Sequence, residues 1–183
     1  MTISNQQARD ILQQAELIVT EQQVQAAVAR VAQEINSQLA DMHPLVLSVM
    51  GGAVVFTGQL LPLLDFPLDF DYVHVSRYGN HQQGGALHWK VEPGETVRGR
   101  IVLVVDDILD QGETLAAVKK RVLDLGATGF YSAVFADKLN GTSKPIHADF
   151  VGLELPHRFV FGFGMDVQGA WRNLPAIYAV KEK

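Results

Sequence analysis

The residues best suited to chemistry lie together in the middle of the chain. Asp106, Asp107 and Asp110 follow an unbroken aliphatic run, and Gly112 precedes a run with helical spacing that starts at Glu113. This order predicts a buried strand, a short loop and then a helix. A helix N-terminus presents backbone N–H groups and a positive dipole end, and a glycine lets a ligand approach the backbone closely. The segment therefore predicts an anion site bordered by carboxylates.

Asp106 and Asp107 are predicted to lie where a parallel strand ends, the edge at which open α/β sheets bind ligands. Adjacent carboxylates would repel a phosphate there unless they contact sugar hydroxyls or a divalent cation. A ligand that carries a phosphate, a cis-diol and bound Mg²⁺ suits every group in the loop, and phosphoribosyl pyrophosphate is such a ligand. The alternative is that the acids only solvate the loop and that Asp110 or Thr114 caps the helix.

The composition limits the classes of protein to which the chain can belong. Its 183 residues fit one domain that spans residues 1–183. The absence of cysteine excludes a disulfide framework and a thiolate metal site, so a cytoplasmic protein is expected. A net charge of −5 argues against a nucleic-acid partner. No membrane partner is expected either, because no apolar run is long enough to span a bilayer and residues 1–14 do not resemble a signal peptide.

Strands and helices alternate along the chain, which predicts a mostly parallel sheet with helices on both faces. A capping box from Thr20 to Gln23 precedes apolar residues at helical spacing. Gly51 and Gly52 separate the first central strand from a helix, where backbone amides could face an anion or the two elements could simply pack tightly. The predicted strands are 45–49, 70–75, 87–91, 101–105 and 130–136, and the predicted helices are 6–15, 21–40, 53–61 and 113–125.

A polar, glycine-rich segment over residues 76–85 separates two strands that are predicted to pair as a hairpin. This segment is either an exposed connection or a mobile lid. The lid interpretation gains weight from the chemistry, because attack at an anomeric carbon must exclude water. Arg77 could then add a charge-assisted contact to a phosphate.

Two segments resemble a known family. Val104–Thr114 resembles the phosphoribosyl-pyrophosphate motif of type I phosphoribosyltransferases, and Asp149–Asp166 resembles the C-terminal block of hypoxanthine-guanine phosphoribosyltransferases. The resemblance implies the type I fold, in which helices flank a mostly parallel central sheet. A small hood built from N- and C-terminal segments and a flexible lid hairpin complete that fold.

The same resemblance implies an enzyme of purine salvage. It would transfer the 5-phosphoribosyl group from phosphoribosyl pyrophosphate to N9 of hypoxanthine or guanine, with Mg²⁺, and yield IMP or GMP and pyrophosphate. Family members are commonly homodimers or homotetramers, so a homo-oligomer is expected here.

The resemblance also implies roles for individual residues. Asp106 and Asp107 would bind the ribose hydroxyls, and Asp110 would be the general base. The 5′-phosphate would bind Asp110, Gln111, Gly112, Glu113 and Thr114; the purine would bind Lys138, Phe159, Val160 and Asp166; and pyrophosphate would bind Met50, Gly51, Arg77, Tyr78 and Arg172. Mg²⁺ would be held by Asp166, directly or through water, and indirectly by Asp106 and Asp107. Gln111 and Glu113 stand where the family often has Thr and Lys, and Arg77 stands where it typically has Ser.

Several of these residues also have a simpler explanation. Lys138 could be a solvated loop residue, Asp166 a turn cap and Arg172 half of a surface ion pair. The phenylalanines around Phe159 could belong to the core. Two other functions stay open as well: the base could be xanthine, or the domain could be a regulatory protein that keeps the pocket and binds RNA or DNA. The acidic composition disfavours the second.

Overall fold

The computed structural model describes residues 3–77 and 87–181, and it confirms the alternation of strands and helices. Within these residues, no helix has both the length and the apolar character needed to cross a membrane. The helices are α1 (Asn5–Gln14), α2 (Glu21–Leu39), α3 (Val54–Leu60) and α4 (Glu113–Asp124), with short 3₁₀ helices at Leu61–Leu63 and Glu95–Val97. The strands are β1 (Glu16–Val19), β2 (Leu45–Met50), β3 (Asp69–Arg77), β4 (Leu87–Val91), β5 (Ile101–Leu109), β6 (Gly129–Leu139), β7 (Phe150–Pro156), β8 (Val160–Phe161) and β9 (Ile177–Ala179).

Six strands form the central sheet in the order β4-β3-β2-β5-β6-β7. All neighbours pair in parallel except β3 and β4, which form the predicted antiparallel hairpin. Central strands of a parallel sheet are buried on both faces, which explains their continuous aliphatic runs. In β5, Leu103 and Val105 pack with α2 and α3, whereas Val102 and Val104 pack with α4. The core therefore lies on both sides of the strand that leads to the acidic segment.

A second, three-stranded sheet joins the two ends of the chain in the order β1-β9-β8. Its strands are antiparallel. Ala179 of the central strand β9 pairs with Glu16 of β1 on one side and with Val160 of β8 on the other. Along the chain, β1 lies between α1 and α2, and α2 begins at the predicted capping box. These segments form the predicted hood, and the mixed α/β architecture with its mostly parallel sheet is confirmed.

Four of the five predicted strands are longer than predicted, and β5 and β6 extend the furthest. The sequence predicts that β5 ends at Val105, but the strand continues to Leu109 because it goes on pairing with β6 up to the Leu109–Asp137 pair. Its pairing with β2 stops at Val105, opposite Ser48. Asp106 and Asp107 are therefore strand residues rather than loop residues, although they do lie at the carboxyl end of the sheet. β6 likewise runs past the predicted end at residue 136, to Leu139.

Candidate active site

A cleft of about 560 Å³ opens at the carboxyl ends of the central strands. Ten of the predicted site residues line it: Met50, Gly51, Asp106, Asp107, Asp110, Gln111, Gly112, Thr114, Asp166 and Arg172. Glu113, Lys138, Phe159 and Val160 are not among its lining residues. Tyr78 lies outside the described residues, as does the side chain of Arg77. The structure thus brings most of the predicted phosphate, ribose and metal ligands into one cavity.

Asp106 and Asp107 form an acidic floor in this cleft. Asp106 is only 7% exposed. Its Oδ1 accepts a hydrogen bond from the Asp107 backbone N–H at 2.9 Å, and Asp107 Oδ1 accepts one from the Ile108 N–H at 2.9 Å. Burial and the charge of Asp107 raise the pKa of Asp106 well above its ordinary value. Burial also raises the pKa of Asp107, and the positive charge of Arg172 opposes that rise. Such a floor attracts hydroxyl donors and cations.

Two glycines from separate segments allow the backbone to close around Asp107. A Cβ added at Gly52 would lie 1.8 Å from Asp107 Oδ2, so no other residue fits there without displacing that carboxylate. Gly164 has φ +96°, and a Cβ on it would lie 2.1 Å from the Gly52 carbonyl oxygen. Tight packing, one of the two explanations offered for the glycine pair, therefore holds at Gly52. The peptide bond between Met50 and Gly51 is cis.

Helix α4, which follows Asp110 and Gln111, begins without a side-chain cap. Gly112 is the N-cap residue of α4, in the left-handed region with φ +79°, and within residues 3–77 and 87–181 no side chain makes a cap hydrogen bond there. Neither Asp110 nor Thr114 caps the helix, so the capping alternative is wrong for this segment. The first turn of an α-helix leaves backbone N–H groups without intrahelical acceptors. Gln111, Gly112 and Thr114 border the cleft at this point, which makes it suitable for a phosphate.

Asp110, which lines the cleft, forms an ion pair with Lys138, which does not line it. Lys138 Nζ lies 3.3 Å from Asp110 Oδ2, and the two side chains are 13% and 43% exposed. Asn140 Nδ2 donates a hydrogen bond to the Asp110 carbonyl oxygen at 3.0 Å. Lys138 belongs to β6, opposite Leu155 of β7, so it is neither solvated nor in a loop as the simpler explanation required. The pair places a cationic donor beside a carboxylate.

Asp166 and Arg172 both line the cleft and form an ion pair with each other. Arg172 Nη2 lies 2.5 Å from Asp166 Oδ1, and its Nη1 donates to the Gly164 carbonyl at 2.6 Å. Asp166 Oδ2 also accepts a hydrogen bond from the Gly169 N–H at 2.7 Å. The turn cap and the ion pair considered for these residues are therefore both present. Each residue nevertheless lines the cleft, so each can also face a ligand.

The chain matches the family model described as the phosphoribosyl transferase domain over residues 14–168. It belongs to the phosphoribosyltransferase family. A hypoxanthine-guanine phosphoribosyltransferase of Bacillus subtilis strain 168 is 33% identical over 166 residues, which cover 90% of this chain and 92% of that protein. A protein of the same name from Streptococcus pneumoniae strain R6 is 28% identical over 168 residues, 91% of this chain and 93% of its own.

Solved structures agree with this assignment. A hypoxanthine-guanine phosphoribosyltransferase from Bacillus anthracis superimposes on this phosphoribosyltransferase with a TM-score of 0.84 and 27% identity, over 91% of this chain and 98% of that one. A hypoxanthine phosphoribosyltransferase from Staphylococcus aureus gives a TM-score of 0.87 over 94% and 95% of the two chains, at 24% identity. The chain is therefore a phosphoribosyltransferase enzyme with the type I fold.

The residues predicted around the purine lie in two different settings. Phe159 is 52% exposed, whereas Val160 is buried in β8. Phe161 and Phe163 are fully buried, and the rings of Phe135 and Phe163 have centroids 4.3 Å apart. Phe161 and Phe163 thus belong to the core of the phosphoribosyltransferase, as the simpler explanation held. Phe159 is the one that can meet a ligand.

Several residues at or near the cleft are not predicted from the sequence. Lys90 and His74 line it from β4 and β3. A charged residue in the alternating run of β4 was a usable signal for Lys90. Beside the loop from Asp110 to Gly112, Lys144 forms an ion pair with Asp137, and its side chain is 7% exposed. Lys144 has no sequence signal, because its partners come from two strands that only the fold brings together.

Proposed function

We propose that this enzyme transfers the 5-phosphoribosyl group from phosphoribosyl pyrophosphate to N9 of hypoxanthine or guanine, releases pyrophosphate and yields IMP or GMP. The observation that carries the proposal is the Lys138–Asp110 pair beside the acidic floor. A lysine donor at the 6-position of a purine favours an oxo group and disfavours the amino group of adenine, which donates instead. The names of the Bacillus and Streptococcus relatives support the same two bases.

The groups that line the cleft support phosphoribosyl pyrophosphate as the donor. The uncapped start of α4, with Gly112 and Thr114, would hold the 5′-phosphate through backbone N–H groups. Asp106 and Asp107 would accept hydrogen bonds from the ribose 2′- and 3′-hydroxyls. Arg172 and the backbone at Gly51 would face the pyrophosphate. Each of these contacts uses a group that already lines the cleft.

The residues present also fit a magnesium ion that arrives with the substrate. Within residues 3–77 and 87–181, no three histidine or acidic side chains cluster to hold a metal by themselves. Mg²⁺ does not need such a cluster, because it is commonly bound by one or two carboxylates, water and substrate phosphates. Asp166, directly or through water, and the Asp106–Asp107 floor would supply those carboxylates. When bound, Mg²⁺ would neutralise charge on the pyrophosphate.

In the proposed reaction, N9 of the purine attacks C1′ of the ribose as the bond from C1′ to pyrophosphate breaks. The departing pyrophosphate takes the bonding electron pair, so positive charge develops on the ribose ring in the transition state. The carboxylates of Asp106 and Asp107 would hold the ribose and stabilise that charge. Asp110 accepts the proton that the purine loses at N7, and Lys138 holds the 6-oxo group.

The proposal is tested by offering the purified protein Mg²⁺, phosphoribosyl pyrophosphate and one base at a time, and following nucleotide formation by absorbance. We expect turnover with hypoxanthine and guanine and little with adenine, while xanthine measures the tolerance of the pocket at the 2-position. Turnover with adenine equal to that with guanine would remove Lys138 from its role. No turnover with any base, together with retention of RNA or DNA in a filter-binding assay at low salt, would instead favour the regulatory function.

A further inference from the structure

Lys144 lies beside the loop from Asp110 to Gly112, and it is not among the residues that line the cleft. Its ammonium group makes an ion pair with Asp137 and donates to the carbonyl oxygens of Leu109 at 2.7 Å and Lys138 at 2.8 Å. The side chain is only 7% exposed. A lysine ammonium has three donors, so these three acceptors use its whole hydrogen-bonding capacity. A buried ammonium group whose three donors are all used holds its three acceptors in one arrangement.

The partners of Lys144 are the carboxyl ends of β5 and β6. The two strands pair for the last time at Leu109 and Asp137, and the next residue on each strand is Asp110 and Lys138. Lys144 therefore clamps the strands at the point where the ladder ends. The Leu109 carbonyl belongs to the peptide bond that leads into Asp110, so the clamp acts directly on the backbone of that residue.

Neighbouring contacts extend this support along the loop. Asn140 Nδ2 donates to the Asp110 carbonyl at 3.0 Å, so the carbonyls on both sides of the Asp110 backbone are held by side chains from one segment. A Cβ added at Gly112 would lie 3.2 Å from Pro145 Cδ and 3.4 Å from Lys144 Cβ. The segment 140–146 thus packs against the loop from Asp110 to Gly112.

We propose that Lys144 is a positioning residue for phosphoribosyl transfer. By holding the carbonyls of Leu109 and Lys138 together, it sets the separation of the proposed base, Asp110, from the proposed 6-oxo donor, Lys138. The inference rests on the proposed function, because it assigns Lys144 the task of aligning two groups that act on the purine. A displacement of about 1 Å at such groups costs on the order of a hundredfold in rate.

A purely structural role makes a different prediction, and two variants separate the roles. Lys144→Met keeps the volume and removes the ammonium, which leaves the largely buried Asp137 carboxylate without its partner and should lower the unfolding temperature. Asp137→Asn combined with Lys144→Met removes that uncompensated charge and should restore much of the unfolding temperature. Neither variant restores a donor to the Leu109 and Lys138 carbonyls.

The experiment measures kcat and KM for guanine, hypoxanthine and adenine, and the unfolding temperature, for the wild type and both variants. We expect kcat with guanine to fall by ten- to a hundredfold in both variants, with little change in KM for phosphoribosyl pyrophosphate and a smaller preference for guanine over adenine. Val31→Ala serves as the control, because it truncates a fully buried side chain of α2 and should lower stability while kcat and base preference stay unchanged.

Recovery of kcat in the double variant in step with its unfolding temperature would overturn the positioning role and leave a structural one. Wild-type kcat and base preference in Lys144→Met would overturn it as well, and the proposed function would stand in both cases. If the wild-type enzyme itself converts no purine, the proposed function is wrong and the inference falls with it. The turnover of the wild-type enzyme therefore distinguishes a failure of the positioning role from a failure of the proposed function.

Discussion

Gly52→Ala should disable the enzyme by displacing Asp107, and the structure allows the size of the effect to be worked out. The new Cβ would lie 1.8 Å from Asp107 Oδ2, whereas a carbon and an oxygen need about 3.3 Å. The carboxylate must therefore move by about 1.5 Å, away from the Ile108 N–H that it accepts from. A shift of that size in a group that holds the ribose costs about a hundredfold, or about 2.7 kcal/mol of transition-state stabilisation.

The assay is kcat/KM for phosphoribosyl pyrophosphate at saturating guanine, below the unfolding temperature of every variant. Gly58→Ala is the matched control, because nothing lies within 4 Å of its added Cβ. That control should keep wild-type activity and gain about 0.5–1 kcal/mol of stability, since Gly58 lies inside α3.

A double-mutant cycle isolates the clash. Asp107→Ala removes the carboxylate atoms that the new methyl group would meet, so Gly52→Ala should cost little more in that background. Additive losses from the two substitutions would show that Gly52 acts by some other route. Wild-type kcat/KM in Gly52→Ala alone would refute the argument that Asp107 must stay where the structure places it.

Three further substitutions test separate parts of the site. Asp110→Asn should lower kcat by about 10²–10⁴-fold while nucleotide binding, followed by calorimetry, is largely kept; wild-type turnover would exclude Asp110 as the base. Lys138→Ala should reduce the preference for guanine over adenine by about ten- to a hundredfold in competition assays, the worth of one charged hydrogen bond; an unchanged ratio would contradict its role. Asp106→Asn should raise the unfolding temperature at pH 7 while it weakens substrate binding, and a lower unfolding temperature would show that Asp106 stabilises the free fold.

The sign of the Asp106 prediction follows from its raised pKa. The folded protein keeps the proton at pH values where the unfolded chain, with an ordinary carboxyl pKa of about 3.9, has lost it. The contribution of Asp106 to stability is therefore fully present below that value and is lost as pH rises through the raised folded-state pKa. Asn cannot ionise, so the gap between the two unfolding temperatures should open with rising pH and close near pH 3.

The sequence predicts the bounds of a helix or strand well where the residues that fix those bounds lie within the element itself. The bounds of α2 differ from the prediction by one residue, because a capping box and a regular apolar stripe both lie within that helix. The ends of β5 and β6 were missed because acidic residues are poor strand formers, and only pairing with the neighbouring strand keeps them extended. Strand ends of this kind depend on partners that are distant along the chain.

The same distinction applies to the site. The acids from Asp106 to Asp110 and the glycine before α4 are adjacent in sequence, so their chemistry could be predicted from that one segment. The contact of Gly164 with the Gly52 carbonyl joins segments more than a hundred residues apart, and no spacing rule reveals it. The enclosure of Lys144 by two strand ends is equally a product of the fold.

The most direct test of the central claim is a ³¹P NMR measurement of phosphoribosyl pyrophosphate with Mg²⁺, hypoxanthine and catalytic amounts of the protein. The proposed transfer predicts that the donor signals are replaced by equal amounts of pyrophosphate and one nucleoside monophosphate, in step with consumption of the base. Unchanged donor signals, or pyrophosphate with ribose 5-phosphate and unconsumed base, would contradict phosphoribosyl transfer to a 6-oxopurine.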